Sequence, residues 1–370
     1  MVLCFPEGAW QELLSPQSIV CAEEPLRGWE YRLRQILYWD RSIRDDAVIE
    51  PVFNIRWRVT IGGYGVEIPH HRAEQRGSYV WQAPITDLDR DLDRLHFREL
   101  SVDREATMRD MTLADDLFGD LLPPRLRGGY WWTLGMTWGA AKLVGLENLM
   151  LLMCDNPEGV HRLMRWLCDE HTHFIEWFEA QRLLTLNNED DYVGSGGFGY
   201  THALPSDNAR SGADVTLGDL WGFGESQETV GISPAMFTEF ILPYQARLLD
   251  RFGLNCYGCC EPLDKRIDAI MREVPRLRRV SVSPWADLRL MAEKLGERYV
   301  FSRKPNPAPV CVGFDERAIR QDLEHTVAVA GHLPLEIILK DTHTVENDPT
   351  RLGRWVTLAR QAIDKAQALA

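Results

Sequence analysis

The chain has 370 residues, 45% of them hydrophobic and 26% charged, which is the balance of a water-soluble globular protein. The formal net charge is −14 and the sequence pI is near 5.2. That charge excludes nucleic acid or an anionic membrane surface as the main partner, since both select a basic face. No apolar run is long enough to span a bilayer.

Taken in chain order, the first 125 residues differ from the rest. The N-terminus, MVLCFPEGAW, carries an acid at Glu7 and lacks the basic and long apolar regions of a signal peptide. Residues 29–46 read as an amphipathic helix. Residues 54–68 alternate around Gly62 and Gly63 and predict a hairpin. A further extended run covers 78–85, and His70 and His71 sit in a Pro-bounded turn that reads as surface. Trp57, Tyr64, Tyr79 and Trp81 in segment 54–85 are expected either to form a rim or lid for a partner or to pack onto the body of the protein. The PPRLRGGY stretch at 123–130 interrupts every periodic pattern and marks a boundary.

Beyond it the chain alternates. GYWWTLGMTW reads as a strand. Residues 157–183 form a long helix opened by Pro157, because Val160, Leu163, Met164, Leu167, Phe174, Ile175 and Phe178 recur at spacings of three and four. Residues 233–253 form a second helix, with Ser233 as cap, Gly253 as stop and a kink at Pro243. Then come strand LNCYG and helix 262–273, strand 277–285 and helix 286–296, strand 298–306 and helix 315–330, and strand 334–343 and helix 350–368. Strand–helix alternation of this length implies a parallel sheet with crossover helices. The expected fold is α/β: a (β/α)8 TIM barrel over 126–370, with an N-terminal α+β cap over 1–125. An open parallel sheet is the other solution. No dinucleotide fingerprint or P-loop is present; the glycines at 194, 196, 197 and 199 are too irregular for one.

Three of the eight cysteines, Cys256, Cys259 and Cys260, fall within five positions and are followed by Glu261. Thiolates beside a carboxylate at a strand end have the composition of a soft-metal site, and zinc takes these donors. Small buried residues filling a tight turn are the other reading. In a barrel the chemistry sits at the C-terminal strand ends. Those ends carry Asn187 and Asn188, Cys256 through Glu261, Ser283 and Trp285, Arg303, Lys304 and Asn306, then Asp341 and His343. Polar groups closing successive apolar strands predict a shared site. Its metal ligands come from Cys256, Cys259, Cys260, Glu261 and His343. Asp341, His343 and Glu261 are the catalytic candidates, and Asn188, Gln227, Trp285, Asn306 and Arg303 the substrate contacts. The scattered, partly vicinal cysteines fit a reducing cytoplasm better than a disulfide framework.

With those residues in view, the chain resembles the uroporphyrinogen decarboxylase superfamily, and most closely its corrinoid-dependent methyltransferase branch. The resemblance covers about residues 90–365. It rests on DLDRL at 91–95, GLENLMLLMCDNPEGVHRLM at 145–164, SPAMFTEFILPYQ at 233–245, FGLNCYGCCEPL at 252–263, YVFSRKPNPA at 299–308 and the strand–DTHT–helix ending. It implies a (β/α)8 barrel, a bound zinc, a small methylated donor (O- or N-methyl) and a cobalamin carried by a separate corrinoid protein. An anaerobic, cytoplasmic setting goes with that branch. A homodimer is compatible with the sequence and undetermined by it.

Two departures are visible. The N-terminal R-x-x-x-R-x-x-P-E run of the porphyrinogen decarboxylases is missing. Where the zinc methyltransferases carry H-x-C and, near the last strand, a further Cys, this chain has Asn255 to Cys260 and Asp341-Thr342-His343. Thiolates and imidazole have exchanged places. A cofactor-free decarboxylase or lyase using Arg303, Lys304 and Asp341 is the alternative enzyme, and a non-catalytic binding protein the alternative from another class.

Overall fold

The computed structural model describes residues 1–72 and 79–368, with backbone alone for 70–72, 79 and 80. Its centre is a six-stranded parallel sheet. The strands are β1 (Val2–Cys4), β2 (Trp221–Gly224), β3 (Leu254–Tyr257), β4 (Leu277–Val282), β5 (Val300–Arg303) and β6 (Leu335–Leu339). Their spatial order is β1-β6-β5-β4-β3-β2, without reversal. Every ladder is parallel. The fold is therefore α/β with six ladder strands among the described residues, where a complete barrel has eight.

These runs become strands for a simple reason. Each is short, rich in β-branched and aromatic residues, and bounded by Gly, Pro or a helix cap. The helices between them are amphipathic and well capped: Asp287 accepts from the amides of Arg289 and Leu290, and Asp315 from Ala318. The 233–253 segment breaks at Ile241, immediately before Leu242–Leu249, which carries Pro243 in its first turn. A proline there cannot continue the preceding helix's hydrogen bonds.

Alternation along the strands separates two environments. Val280, Val282, Phe301, Ile337 and Leu339 pack into the apolar cores beneath the helices. The opposite face carries Cys256, Arg279, Ser281, Ser302, Glu336 and Lys340, all buried. Over that polar face lies a short hairpin, Tyr192–Val193 paired with Gly197–Phe198. Gly194 in its turn has φ +65°, and a Cβ there would stand 3.1 Å from Cys256 Sγ, so only glycine fits between the hairpin and β3.

Ahead of residue 145 the structure departs from the sequence reading in three places. First, β1 lies inside the segment read as a cap, yet it is the edge strand of the main sheet, paired with β6. Second, 54–68 is no local hairpin: Arg58–Ile61 pairs antiparallel with Leu100–Asp103, and Phe53–Ile55 pairs parallel with Pro124–Leu126. Third, the GYWWTLGMTW stretch is irregular up to Met136 and then enters the helix Thr137–Val144. Trp131 instead packs edge-on against Phe174, Phe178 and Phe252. Trp57 and Tyr64 pack against the main core, and Trp81 meets Trp138 at 5.3 Å, so these three aromatics are packing rather than a free rim. The side chains of His70, His71 and Tyr79 lie outside the described residues. No described helix is long and apolar enough to cross a membrane.

Candidate active site

The C-terminal ends of β3 and β6, with the loop after β1, converge on one cluster. Cys259 and Cys260 follow β3 through Gly258, with their sulfurs 3.5 Å apart. Lys340 closes β6 and places Nζ 3.6 Å from Cys259 Sγ, 3.5 Å from Cys260 Sγ and 2.8 Å from Asp341 Oδ2. Cys260 Sγ is 3.7 Å from the same carboxylate. Asp341 adopts φ +58°, a left-handed conformation that a side chain pays about 1 kcal/mol or more to hold. The turn it makes carries His343 back over the N-terminal segment, where Thr342 O accepts from the amide of Ala9. Gly8 permits this approach: a Cβ there would meet His343 Cα and Nδ1 at 3.1 Å. Glu7, Asp341 and His343 each offer a ligand atom, and the three lie within 4.8 Å of one another.

The electrostatics follow from this crowding. Burial works to lower the Lys340 pKa, but the Cys259, Cys260 and Asp341 charges outweigh it and hold the group above its usual range. The hydrogen bond from Cys259 is the main cause that lowers the Cys260 thiol, with Lys340 assisting against burial. Cys259 moves the other way, raised first by that same bond and then by burial. Burial raises Glu7, and the neighbouring Asp341 adds to the effect.

The remaining candidates divide. Cys256 points to the buried polar face, 3.6 Å from Arg279, in the same small cluster as Cys259 with Cys260 packed against it. Glu261 is 1% exposed and accepts backbone N–H groups from Ser226 and Cys259, both at 2.9 Å. It packs with Glu225, whose carboxyl burial and Glu228 push well above the usual range. Gln227, Glu228, Cys260, Glu261 and Trp285 line a cavity of about 530 Å³ at this end of the sheet. Trp285 is 68% exposed. Asn188 donates to Leu204 O at 2.9 Å and Asn306 caps Ala308, so both hold loops. Arg303 is buried on the other face of β5, donating to Ser283 O and Asp322. Lys304 is buried against Ser302, and burial lowers its pKa to about 8.

The donor chemistry can be weighed against a zinc. Cys259 and Cys260 already face an ammonium, which repels a cation placed between them. Glu7, Asp341 and His343 offer two carboxylates and an imidazole, donors that zinc accepts. Lys340 pairs with Asp341 as well, at 2.8 Å, so the ammonium bears on both sets. The trio differs in that its three ligand atoms lie within 4.8 Å of one another, whereas Glu261 is taken up by the amides of Ser226 and Cys259. Lys340 and Glu7 are absent from the sequence-based candidates. Lys340 was within reach of pattern, because Glu336, Ile338 and Lys340 share one face of β6 by alternation. Glu7 was not, because nothing local links it to a strand more than three hundred residues away.

No protein-family model matches the chain, and no curated protein matches it. Among solved structures, a methyltransferase from Methanosarcina mazei superposes with a TM-score of 0.45 at 12% identity. The match covers 81% of this chain and 76% of that one. A likeness at this level carries no argument about function.

Proposed function

We propose that the chain is a metal-dependent methyltransferase that takes a methyl group from a small O- or N-methylated donor and passes it to a corrinoid protein. The observation that carries this reading is the gathering of a thiol pair, an ammonium, two carboxylates and an imidazole at the C-terminal strand ends, beside a cavity walled by Trp285. That is where parallel α/β folds place chemistry. The unreversed strand order, with β1 beside β6, supports a barrel that the segments around Asn187 and 128–134 would complete: Asn187 brackets Trp221 with two hydrogen bonds, and Leu134 donates to Phe223 O.

In this reading Gln227 and Trp285 hold the donor in the cavity, with Gln227 offering both a donor and an acceptor. Lys340 balances the charge of Cys260 and Asp341. Glu7, Asp341 and His343 would hold zinc, which when bound supplies Lewis-acid polarisation of the donor heteroatom. The buried Glu225–Glu261 layer fixes the backbone of the thiol loop from behind. The acceptor, a cobalamin on a partner protein, would approach over the same strand ends. The decarboxylase alternative draws less support, because Arg303 is committed to Ser283 and Asp322 and cannot meet a substrate carboxylate.

The test is a reconstituted assay. The chain, a corrinoid protein held in the cob(I) state and a panel of methoxy and methylamine donors are followed by cobalamin absorbance. Donor-dependent methylcobalamin is expected. Carbon dioxide released from a carboxylic acid without any corrinoid would transfer the case to the decarboxylase.

A further inference from the structure

We infer that a second cavity, between strand β2 and the N-terminal region, binds an aromatic carboxylate of one or two rings, with the carboxylate on Arg32 and Arg56. None of Cys259, Cys260, Lys340 or Asp341 lines this cavity, so the inference stands independently of the methyl-transfer reading. Its volume is about 520 Å³, in the range of small-molecule sites. It runs along β2 from Leu220 and Trp221 at the N-terminal end to Phe223. The arginines reach it for a local reason. Phe53 and Ile55 are buried in a small core, and alternation turns Asn54 and Arg56 toward the cavity instead. Arg32, on the helix Leu26–Tyr38, donates to Asn54 O at 2.6 Å and lies 4.9 Å from the centre of the Phe53 ring, which holds it beside Arg56.

The charges of the cavity are unevenly matched. Among the described residues neither Arg32 nor Arg56 forms an ion pair, and Arg56 makes no hydrogen bond. The nearby acids are engaged elsewhere. Arg127 holds Glu50 and Asp191, Arg125 holds Glu50 at 3.0 Å with Glu189 at 3.9 Å, and Tyr200 donates to Asp190 at 2.8 Å. Burial and the Arg56 charge hold the Arg32 guanidinium below its usual range, with no carboxylate acting against them. Two unpartnered guanidiniums side by side select an anion, and their fork matches a carboxylate. Asp190 and Asp191 also line the cavity, and Asp190, pushed up to about 6 by burial, is still mostly ionised at neutral pH. Their repulsion disfavours a phosphate dianion relative to a monoanion. The rest of the wall suits a flat ring. Trp132 is 44% exposed and meets Phe223 edge-on at 5.5 Å, and a Cβ on Gly129 would touch nothing within 4 Å, so the space beside these rings is open.

Calorimetric titration of the native chain with naphthoate and with naphthamide, its neutral counterpart, tests this. The acid should bind roughly tenfold more tightly than the amide, the contrast expected of a charge-assisted contact. Arg56 is exposed and bonds to nothing described, so Arg56→Gln should fold as the native chain does. It should weaken the acid by roughly tenfold and leave the amide unchanged, and Arg56→Lys, which keeps the charge without the fork, should recover part of the loss. Trp132→Ala should weaken acid and amide alike, which places both probes in this cavity. Four outcomes overturn the inference: no heat from the acid at millimolar concentration, an amide that binds as well as the acid, an Arg56→Gln chain that binds the acid like the native one, or acid binding that Trp132→Ala leaves untouched. Naphthyl phosphate binding more tightly than naphthoate would overturn the assignment to a carboxylate.

Discussion

Arg279 on β4 and Glu336 on β6 form an ion pair at 3.0 Å on the buried polar face of the sheet, spanning the intervening strand β5. Ser302 on that strand donates to Glu336, and Arg279 also donates to Phe198 O in the hairpin above. The pair thus ties three strands to the hairpin that covers Cys256. Both side chains are under a tenth exposed, so removing one partner strands a charge. Glu336→Ala is expected to destabilise the chain by about 3–5 kcal/mol in urea unfolding. Replacing both residues with apolar ones of similar volume should cost far less. Equal losses in the single and double variants would show that packing, not the stranded charge, dominates.

A second prediction concerns pH. Glu170 in the long helix Pro157–Ala180 is fully buried and meets Arg98 at 2.6 Å. Burial pushes its carboxyl up, but the hydrogen bonds from His171 and Arg98 win and bring it down to about 2, from a usual 4.5. A carboxyl depressed in the folded state contributes stability above its unfolded pKa. That contribution is lost as the pH falls through about 4.5 toward 2. By linkage the group is worth about 3 kcal/mol at neutral pH. Glu170→Gln should lose about that much at pH 7 and almost nothing extra at pH 2, read from unfolding curves at both.

Much of this was legible in the sequence, and the failures have one physical cause. The last three helices, Leu288–Leu295, Glu316–Ala330 and Arg351–Gln367, stand within about two residues of their expected bounds, whereas the strands Leu277–Val282, Val300–Arg303 and Leu335–Leu339 end earlier than expected and the helix read over 262–273 begins only at Ile267. Their apolar runs are bounded by local signals such as Asp315 and Gly296. The pairing of Val2–Cys4 with β6, and of Arg58–Ile61 with Leu100–Asp103, is set by contacts distant in sequence, on which local pattern is silent. The site divides the same way. Cys259, Cys260, Asp341 and His343 were legible as polar residues closing apolar strands. Cys256 and Arg303 were not separable from them by position. Strand alternation turns Arg303 to the face opposite Ser302, while Cys256 clusters with Cys259 but is covered by the hairpin and meets Arg279.

Metal binding supplies the third prediction. If zinc sits on Glu7, Asp341 and His343, the double variant Glu7→Ala, His343→Ala should purify without it. Cys256→Ser should retain it in full, since that sulfur faces Arg279. Elemental analysis of protein prepared without chelator reads both. Zinc lost from Cys256→Ser and kept by the double variant would return the metal to the cysteine loop.

Arg303 gives a prediction of the opposite kind. It was a substrate candidate, yet its guanidinium is spent on Ser283 O and Asp322. Arg303→Met should therefore lower stability by about 1–3 kcal/mol through the two carbonyl and carboxylate groups it leaves behind. Donor KM should stay where it was. A large rise in KM with unchanged stability would put the residue back in the site.

The last prediction isolates Trp285. Its side chain is exposed at the mouth of the cavity and packs into no core, so Trp285→Ala should leave the unfolding midpoint within about 0.5 kcal/mol of the native chain. What it removes is one wall of the cavity and the only aromatic face lining it among the described residues. A cation over an indole is worth about 0.5–2 kcal/mol, so affinity for trimethylsulfonium should fall by roughly two- to thirtyfold. Trp285→Phe keeps a ring and should lose only part of this. A neutral methoxy compound of similar size gains nothing from the ring's quadrupole and should weaken much less. Calorimetric titration of the two probes against the three proteins measures the contrast directly. If both probes weaken equally, the indole serves only as an apolar wall of the cavity.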